Sequence, residues 1–441
     1  MLEKTFCSSP WFHIRIDSGG NYLPCRWAAW SEINTPKHNN ISNTSLIGYM
    51  NSEVMNAVRT KMLNAVPMKL CDYCYNDEKN NRVSGRQKQL LKSVITLDQF
   101  QNTLCASPHY EDFRYSDINY GRTQTTPVDL QIEIGNTCNS ACIMCAPKHS
   151  SKLVKDYEKL HHLDQTLFPI YQIGKNWTDD KKLIEKFVRE IGELNNIKYI
   201  HFLGGETLYI KSFYDICNQL IKTGQSKTIS LGTTTNCTVA NADLENIIRN
   251  FQHVHLGLSV ESFHKVNDYV RYPGDINDIT RNINTFLKLR EETDLHLALR
   301  ITPNILTIYH IDTVFEFMLE NKITAESCNF LQDPKCLRIE YLPIDLVNDI
   351  RSKIDLIINK YNLKETNQTI INERRKDLID PVINQLIFEY KHLLDKLVEP
   401  DDADSQRKDL IKFLKSFESI RKNNILTYLP EYEEFLRSYG Y

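Results

Sequence analysis

The sequence lacks the long apolar runs that a membrane-spanning helix requires. No stretch approaches the roughly 18 consecutive apolar residues that cross a bilayer, which excludes a membrane span. The opening residues, Met1 to Cys7, also lack the basic and then apolar pattern of a secretory signal peptide. We therefore expect a cytoplasmic protein without a membrane partner.

The sequence also lacks an excess of charge of either sign. The formal net charge is −3, so no overall basic field attracts nucleic acid, and we expect no nucleic-acid partner. One local basic patch is present, formed by Arg82, Arg86, Lys88 and Lys92. Neither internal repeats nor low-complexity tracts occur.

The composition is that of an ordinary soluble globular protein. Hydrophobic residues make up 41% and charged residues 25% of the 441 residues, which is enough apolar material for a sizeable core. The length indicates two or three domains. The pattern predicts four segments: residues 1–95 with four cysteines, a polar linker at 96–126, an α/β segment at 127–345, and a helical region at 346–441.

Short β-rich runs alternate with amphipathic helical stretches from Pro127 onward. Strands separated by helices favour parallel pairing with right-handed crossovers, so we predict an α/β fold with a partial (β/α)6 barrel. The predicted strands are Val128–Ile134, Ile197–Leu203, Thr228–Thr234, Val254–Val260 and Leu295–Ile301, with a weaker sixth near Cys328–Leu331.

Cysteine is abundant, with twelve residues, and its spacing is informative. In a chain expected to be cytoplasmic, cysteines are metal ligands or reduced thiols more often than disulfides. Cys138, Cys142 and Cys145 follow the first predicted barrel strand with the spacing C-x3-C-x2-C. Because the carboxyl ends of parallel barrel strands carry the chemistry, we expect a catalytic site in this loop.

The number of cysteines in this loop favours one kind of metal site. A structural zinc ion takes four protein ligands, whereas a [4Fe–4S] cluster held by three thiolates leaves one iron open to a ligand. Two alternatives remain open at this point: three buried cysteines without a metal, or a zinc site completed by a distant fourth ligand.

The cysteine loop and the strand ends after it resemble the radical S-adenosylmethionine superfamily over roughly residues 127–345. The resemblance implies a [4Fe–4S] cluster on the three cysteines, which act catalytically by cleaving S-adenosylmethionine reductively. It also implies that Met144 packs near the adenine. The Gly204–Glu206 motif would contact the amino group of S-adenosylmethionine, although Thr207 stands where the family usually has proline.

The next two strand ends extend the resemblance with some departures. Asn236 lies in a segment similar to Thr-Asn-Gly, with Cys237 in place of glycine. Ser259 would lie near the ribose, and Glu261 stands where an aspartate is common. Arg271, twelve residues after the serine, would bind the carboxylate of the cofactor.

Four cysteines in the first 95 residues suggest a second metal site. Cys7, Cys25, Cys71 and Cys74 form two separated pairs that can close one site. Their surroundings resemble the Twitch and SPASM domains of radical S-adenosylmethionine proteins, notably at Pro10–Trp11, Asp17–Gly20 and Pro24–Cys25, and in Cys71-x2-Cys74-x3-Glu78 followed by Ser84 and Arg86. A further similar segment is Leu337–Pro343. The resemblance implies a second, auxiliary [4Fe–4S] cluster, and a structural zinc site remains the alternative.

The resemblance implies an oxidoreductase that forms a 5′-deoxyadenosyl radical and abstracts hydrogen from a substrate. A peptide is the first expectation for that substrate, and a sugar, nucleotide or small metabolite is the rival. The expected partners are S-adenosylmethionine and a one-electron donor such as flavodoxin or ferredoxin. A variant chemistry, methyl transfer or sulfur insertion, also stays open. The alternative from another class is a binding scaffold stabilised by zinc or iron–sulfur sites.

Overall fold

The computed structural model describes residues 5–26, 28, 39–79, 84–92, 110–326, 331, 333–365 and 379–441. At its centre is one eight-stranded sheet with the order β2-β1-β3-β4-β5-β6-β7-β8. The strands are β1 (His13–Ile16), β2 (Tyr22–Leu23), β3 (Asp129–Glu133), β4 (Tyr199–Leu203), β5 (Ser230–Thr235), β6 (His253–Ser259), β7 (Leu295–Arg300) and β8 (Thr324–Glu326).

Strands β3 to β8 are all parallel and have helices between them, which confirms the predicted partial (β/α)6 barrel. Strands β3 to β7 begin and end within two residues of the first five predicted strands. The sixth differs, because β8 ends before the run expected near Cys328–Leu331. Residues 328–330 of that run lie outside the described residues.

The helices account for most of the remaining described chain. They are α1 (Ser9–Phe12), α2 (Leu46–Met50), α3 (Glu53–Leu63), α4 (Asp72–Lys79), α5 (Gly85–Lys92), α6 (Tyr110–Ile118), α7 (Ser151–Leu160), α8 (Lys181–Leu194), α9 (Lys211–Lys222), α10 (Ala242–Asn250), α11 (Val266–Val270), α12 (Ile276–Glu292), α13 (Ile311–Asn321), α14 (Ile344–Lys360), α15 (Ile379–Asp395), α16 (Ala403–Arg421), α17 (Ile425–Tyr428) and α18 (Glu433–Ser438).

Two of the crossover helices, α8 and α10, begin where a short polar side chain caps the first turn. Asp180 accepts a hydrogen bond from the Lys182 amide at the start of α8, and Asn241 does the same for the Leu244 amide of α10. Behind these caps, apolar residues recur every three or four positions and face the sheet. In α8 the buried residues are Ile184, Phe187, Val188 and Ile191.

The two faces of the sheet differ in polarity. Side chains alternate between faces along a strand, so residues paired in register lie on the same face. Leu130, Ile200, Leu231 and Val254 form one such row, and all are buried in the core. The opposite face carries a polar row, which comprises Gln131, His201, Gly232, His255 and His296. A cavity lined by Cys138, Cys142 and Cys145 opens at the carboxyl-terminal end of this polar face.

The N-terminal segment contributes two strands to the same sheet. Strand β1 pairs parallel with β3, from His13 with Asp129 to Ile16 with Ile132, and β2 pairs antiparallel with β1. A second hydrophobic cluster, centred on Phe6, Trp11 and Phe113, packs beside this hairpin. The segments predicted at 1–95 and 127–345 are therefore joined by backbone hydrogen bonds, and the domain boundaries themselves stay a prediction.

The C-terminal helices pack on the barrel. Helices α14, α15 and α16 match the helical stretches expected after Pro343, and their apolar residues belong to the main core. Helix α16 lies against α7, the helix that follows the cysteine loop. Among the described residues, no helix combines the length and apolar character needed to cross a membrane.

Candidate active site

The cysteine loop follows β3 and is held by two main-chain hydrogen bonds to the segment at the end of α11. The Ala141 amide donates to the Tyr272 carbonyl at 2.7 Å, and the Ile143 amide donates to the Val270 carbonyl at 2.9 Å. Gly135 opens the loop with φ of 128°, a conformation that favours glycine. The path of the loop is thus fixed by the backbone of α11 and the turn after it.

The three thiols of this loop line one cavity of about 310 Å³. Burial, with a smaller contribution from the neighbouring cysteines, raises the pKa of Cys138 to about 11 and that of Cys145 to about 12. Burial also raises the pKa of Cys142, against the opposing charges of Arg271 and Arg421. Without a metal, these thiols are therefore protonated at neutral pH, and binding a metal through them must release protons.

The donor set fits a cluster with three protein ligands. Thiolates are soft ligands suited to iron–sulfur clusters, and the only cysteines among the residues that line the cavity are these three. A mononuclear zinc site needs four ligands within about 2.3 Å of one point. Within the described ranges, no group of three or more His, Cys, Asp or Glu side chains is arranged to hold a single metal ion.

The glycines after β4 allow this turn to lie directly on the cysteine loop. A Cβ on Gly205 would stand 2.6 Å from the Asn136 carbonyl oxygen and closer still to the Thr137 oxygen. A Cβ on Gly204 would stand 2.8 Å from the Gly135 oxygen. In the same contact, the Gly205 amide donates to Gly135 and the Glu206 amide donates to Thr137, both at 2.9 Å. The glycines therefore permit an approach of backbone to backbone, beside the cavity that both segments line.

Glu206 is a buried carboxylate that lines the cavity. Its Oε1 accepts hydrogen bonds from the Leu208 amide at 3.1 Å and the Thr235 hydroxyl at 2.7 Å. Its Oε2 accepts the Asn236 amide at 2.5 Å. Burial raises the pKa of this carboxyl, and these hydrogen bonds oppose the rise. A carboxylate has about four lone-pair positions, so one on Oε2 is left for a further donor.

Asn236 links the end of β5 to the cysteine loop. Its Nδ2 donates to Asn139 at 2.8 Å and to the Ser140 hydroxyl at 2.9 Å, while its Oδ1 accepts from Thr238. Cys237 follows with φ of 62°, a conformation that suits the glycine common at this position in the family. Asn236 thus lines the cavity and also ties two of its walls together.

Glu261 and Arg271 form a buried ion pair beside Cys142. The Arg271 guanidinium contacts both oxygens of Glu261, with Nη2 at 2.8 Å from Oε1 and Nε on Oε2. Its Nη1 lies 3.9 Å from the Cys142 Sγ. The glutamate that departs from the family pattern is therefore the partner of the arginine, and Nη1 faces away from it.

The other predicted residues near the cofactor also line the cavity. Met144 lies on the cysteine loop, where the Asn304 side-chain amide is 3.7 Å from its sulfur. Ser259 ends β6 at the same opening. Eight further lining residues were not among the predicted site residues: Ser140, His149, Ser150, Leu203, Thr207, Thr234, Thr235 and Thr302. His149 could have been noticed four positions after Cys145, whereas Thr302 carries no local signal.

The N-terminal cysteines gather outside this cavity. Burial, with a smaller contribution from Cys7 and Cys74, raises the pKa of Cys71 to about 12, and burial with a smaller contribution from Cys7 raises that of Cys74 to about 11. Cys25 packs against the same hydrophobic cluster as Cys7 and Cys71. The two predicted pairs thus meet in one region of the fold.

Glu78, Ser84 and Arg86, which follow Cys71 and Cys74 in the chain, contact one another in the structure. The buried Arg86 guanidinium binds both oxygens of Glu78, at 2.9 and 2.5 Å, and Ser84 donates to the same carboxylate at 2.5 Å. Arg86 also donates to the Phe6 carbonyl at 2.9 Å, next to Cys7. This ion pair joins the two cysteine segments and places a positive charge near three thiols.

Comparison with known proteins gives one family match. Residues 132–303, less than half of the chain, match the radical SAM superfamily. No curated protein matches the sequence significantly. Over these residues the chain is therefore similar to the radical SAM superfamily.

Several solved structures are similar at low identity. Streptococcus suis SuiB bound to S-adenosylmethionine is 12% identical over 66% of this chain and 62% of its own, with a TM-score of 0.36. Native anSMEcpe with bound AdoMet is 15% identical over 54% of this chain and 62% of its own, with a TM-score of 0.38. SuiB bound to precursor peptide SuiA is 12% identical over 81% and 70%, with a TM-score of 0.37.

The chain thus spans less than two thirds of the length of the first two structures. At these identities and TM-scores, neither the substrate nor the reaction of these proteins transfers to this chain.

Proposed function

We propose that this protein cleaves S-adenosylmethionine reductively at a [4Fe–4S] cluster held by Cys138, Cys142 and Cys145. The resulting 5′-deoxyadenosyl radical then abstracts hydrogen from a substrate. The observation that carries the proposal is the shared cavity. The three thiols line it together with the Gly204–Glu206 turn and the Ser259 strand end.

When bound, the cluster supplies one electron and an open iron for the amino acid end of the cofactor. The protein supplies the contacts around it. Glu206 offers its free lone pair to an N–H of the cofactor's amine, and its three internal hydrogen bonds hold it in place. Met144 offers an apolar surface to the adenine, and Ser259 a hydroxyl to the ribose.

Arg271 can meet the carboxylate of the cofactor only through one edge. Glu261 accepts from Nε and from one N–H of Nη2, so the edge left for a ligand is formed by Nη1, beside Cys142, and the second N–H of Nη2. The pair with Glu261 fixes the plane of the guanidinium, which orients that edge. We therefore assign Glu261 the role of positioning Arg271 rather than contacting the cofactor.

The test uses protein reconstituted with iron and sulfide without oxygen. We expect 5′-deoxyadenosine and methionine after dithionite and S-adenosylmethionine are added, with about eight irons per chain if two cubane clusters are present. About four irons with cleavage retained would move the N-terminal cysteines to zinc or to a structural role. Zinc without iron, and no cleavage, would leave the binding scaffold as the function.

We further propose that Cys7, Cys25, Cys71 and Cys74 hold an auxiliary [4Fe–4S] cluster. Support comes from Arg86, whose charge favours the thiolates of Cys7, Cys71 and Cys74, and from Cys25, which packs against the hydrophobic cluster that contains Cys7. Full ligation by cysteine would suit electron transfer better than substrate binding. A peptide is the substrate that we favour, with flavodoxin or ferredoxin as the electron donor. Sugars, nucleotides and small metabolites are the rival substrates, and product mass would identify the reaction.

We expect that replacing Arg86 by Met removes the metal from the N-terminal cysteine site and leaves the cluster on Cys138, Cys142 and Cys145 bound. The change breaks a buried ion pair, which costs about 3–5 kcal/mol, and releases the Phe6 segment from Glu78. We expect metal content to fall by the amount of one site, measured as iron or zinc per chain, while the first cluster keeps its spectroscopic signal.

The matched control for this change is Arg114→Met, because Arg114 is exposed and its ion pair with Glu111 is long, at 4.0 Å. It should leave metal content unchanged. Full metal content in the Arg86→Met protein would mean that the ion pair does not organise the N-terminal cysteines.

A further inference from the structure

Helix α16, which belongs to the C-terminal region, ends at the cysteine loop. Its last residue, Arg421, donates from Nη2 to the Ala141 carbonyl at 2.6 Å. Ala141 directly precedes Cys142, the most deeply buried of the three cysteines. The hydrogen bond therefore holds the peptide group that joins Ala141 to the central cysteine, while the Ala141 amide is held by the Tyr272 carbonyl.

Arg421 is itself held firmly. Its Nε and Nη2 lie 3.2 and 2.8 Å from the Oδ2 of Asp156, which belongs to α7. The guanidinium also lies against two rings, 4.8 Å from the centroid of Tyr272 and 4.2 Å from that of Phe417. The arginine side chain is only 2% exposed and that of Asp156 is 15% exposed, so their charges are weakly screened by water.

We propose that Arg421 is a positioning residue for the catalytic cluster, which makes helix α16 a part of the active site. This inference rests on the proposed function, because it concerns the cluster on Cys138, Cys142 and Cys145. Arg421 acts in two ways: it fixes the backbone at Cys142, and its positive charge favours the reduced cluster, which carries one more electron. Asp156 fixes the arginine and offsets part of its charge.

The two partners therefore act on the cluster with opposite electrostatic sign. Arg421→Met removes a positive charge and leaves Asp156 unpaired, so the midpoint potential of the cluster should become more negative. Asp156→Asn leaves the arginine charge without its partner, so the potential should become more positive. A purely structural contact would not produce opposite shifts, since either change breaks the same ion pair.

The experiment is a redox titration of the reconstituted full chain, followed by electron paramagnetic resonance. The part of the signal that changes when S-adenosylmethionine is added reports the cluster with the open iron. Formation of 5′-deoxyadenosine is measured alongside, and we expect Arg421→Met to slow it about tenfold, as loss of a charge-assisted hydrogen bond would. Arg421→Lys keeps the charge and should restore most of the potential.

The matched control is Arg407→Met, on the same helix. Arg407 is also buried, pairs with Glu399 and donates to the carbonyls of Tyr341 and Leu342, which lie outside the catalytic cavity. Its replacement should lower thermal stability without moving the potential.

Several outcomes would overturn the inference. One is that Arg421→Met and Asp156→Asn shift the potential in the same direction, or not at all. Another is that Arg407→Met shifts it as far. If Arg421→Met does not fold, the sign of the Asp156→Asn shift and the Arg421→Lys result decide. A wild-type chain without a cluster would remove the proposed function and this inference together, whereas normal cleavage with unshifted potentials overturns the inference alone.

Discussion

We expect that replacing Cys142 by Ala abolishes 5′-deoxyadenosine formation and that the protein loses about four irons per chain. The reason is that a cubane with three protein ligands cannot stay bound through two, and Cys142 is the ligand at the centre of the loop. It lies beside Arg271, which lines the cavity, and directly follows Ala141, whose carbonyl accepts a hydrogen bond from Arg421. Iron analysis and a product assay on reconstituted protein measure both effects.

A second buried cysteine provides the control for this change. Cys217 is fully buried in α9, and burial alone raises its pKa, so Cys217→Ala removes a thiol from the core without touching the cavity. We expect normal iron content and normal cleavage in that variant. If Cys142→Ala still formed 5′-deoxyadenosine at the wild-type rate, the cluster would not be bound by this loop.

Replacing Gly205 by Ala is the second change for which we expect a large effect. The new Cβ would stand 2.6 Å from the Asn136 oxygen, which is a backbone atom, so either the turn or the cysteine loop must move. Such overpacking costs about 1–3 kcal/mol of folding free energy. A shift of about 1 Å between cofactor contacts and reacting atoms can slow catalysis about 100-fold.

We therefore expect Gly205→Ala to slow cleavage of S-adenosylmethionine about 100-fold, with a smaller loss of thermal stability. Gly174→Ala is the control, because no heavy atom lies within 4 Å of the Cβ it would add. Both variants should be compared by product formation and by melting temperature. Equal activity in the two variants would show that the close contact between the β4 turn and the cysteine loop does not matter for the reaction.

The regular elements of the barrel could be predicted because their signals are local. Alternation of apolar runs and amphipathic helices located β3 to β7 within two residues, and the C-terminal region was predicted to be helical. The sixth strand was the exception, since β8 has only three residues and carries too short a pattern to detect. The C-x3-C-x2-C spacing likewise identified the loop, because its three cysteines lie within eight residues.

Residue roles that depend on a distant partner could not be predicted from the sequence. The motif identified Gly205 but not why glycine is needed there. The reason is the close approach of a carbonyl about 70 residues earlier in the chain. The exchange of aspartate for Glu261 looked like a weakening of the motif, but this carboxylate is the partner of Arg271. Ser84 and Arg86 were recognised from their resemblance, and only the structure shows that they bind Glu78.

By itself, the sequence determined the class of fold, the cysteine loop and the strand ends that face it. Periodicity and short motifs express interactions between residues that are near one another in the chain. The tertiary structure alone decided that the N-terminal hairpin joins the barrel sheet, and that Arg421 reaches a loop 280 residues earlier. Such contacts depend on which surfaces pack together, and a single charged residue in a helical tail carries no local sign of its partner.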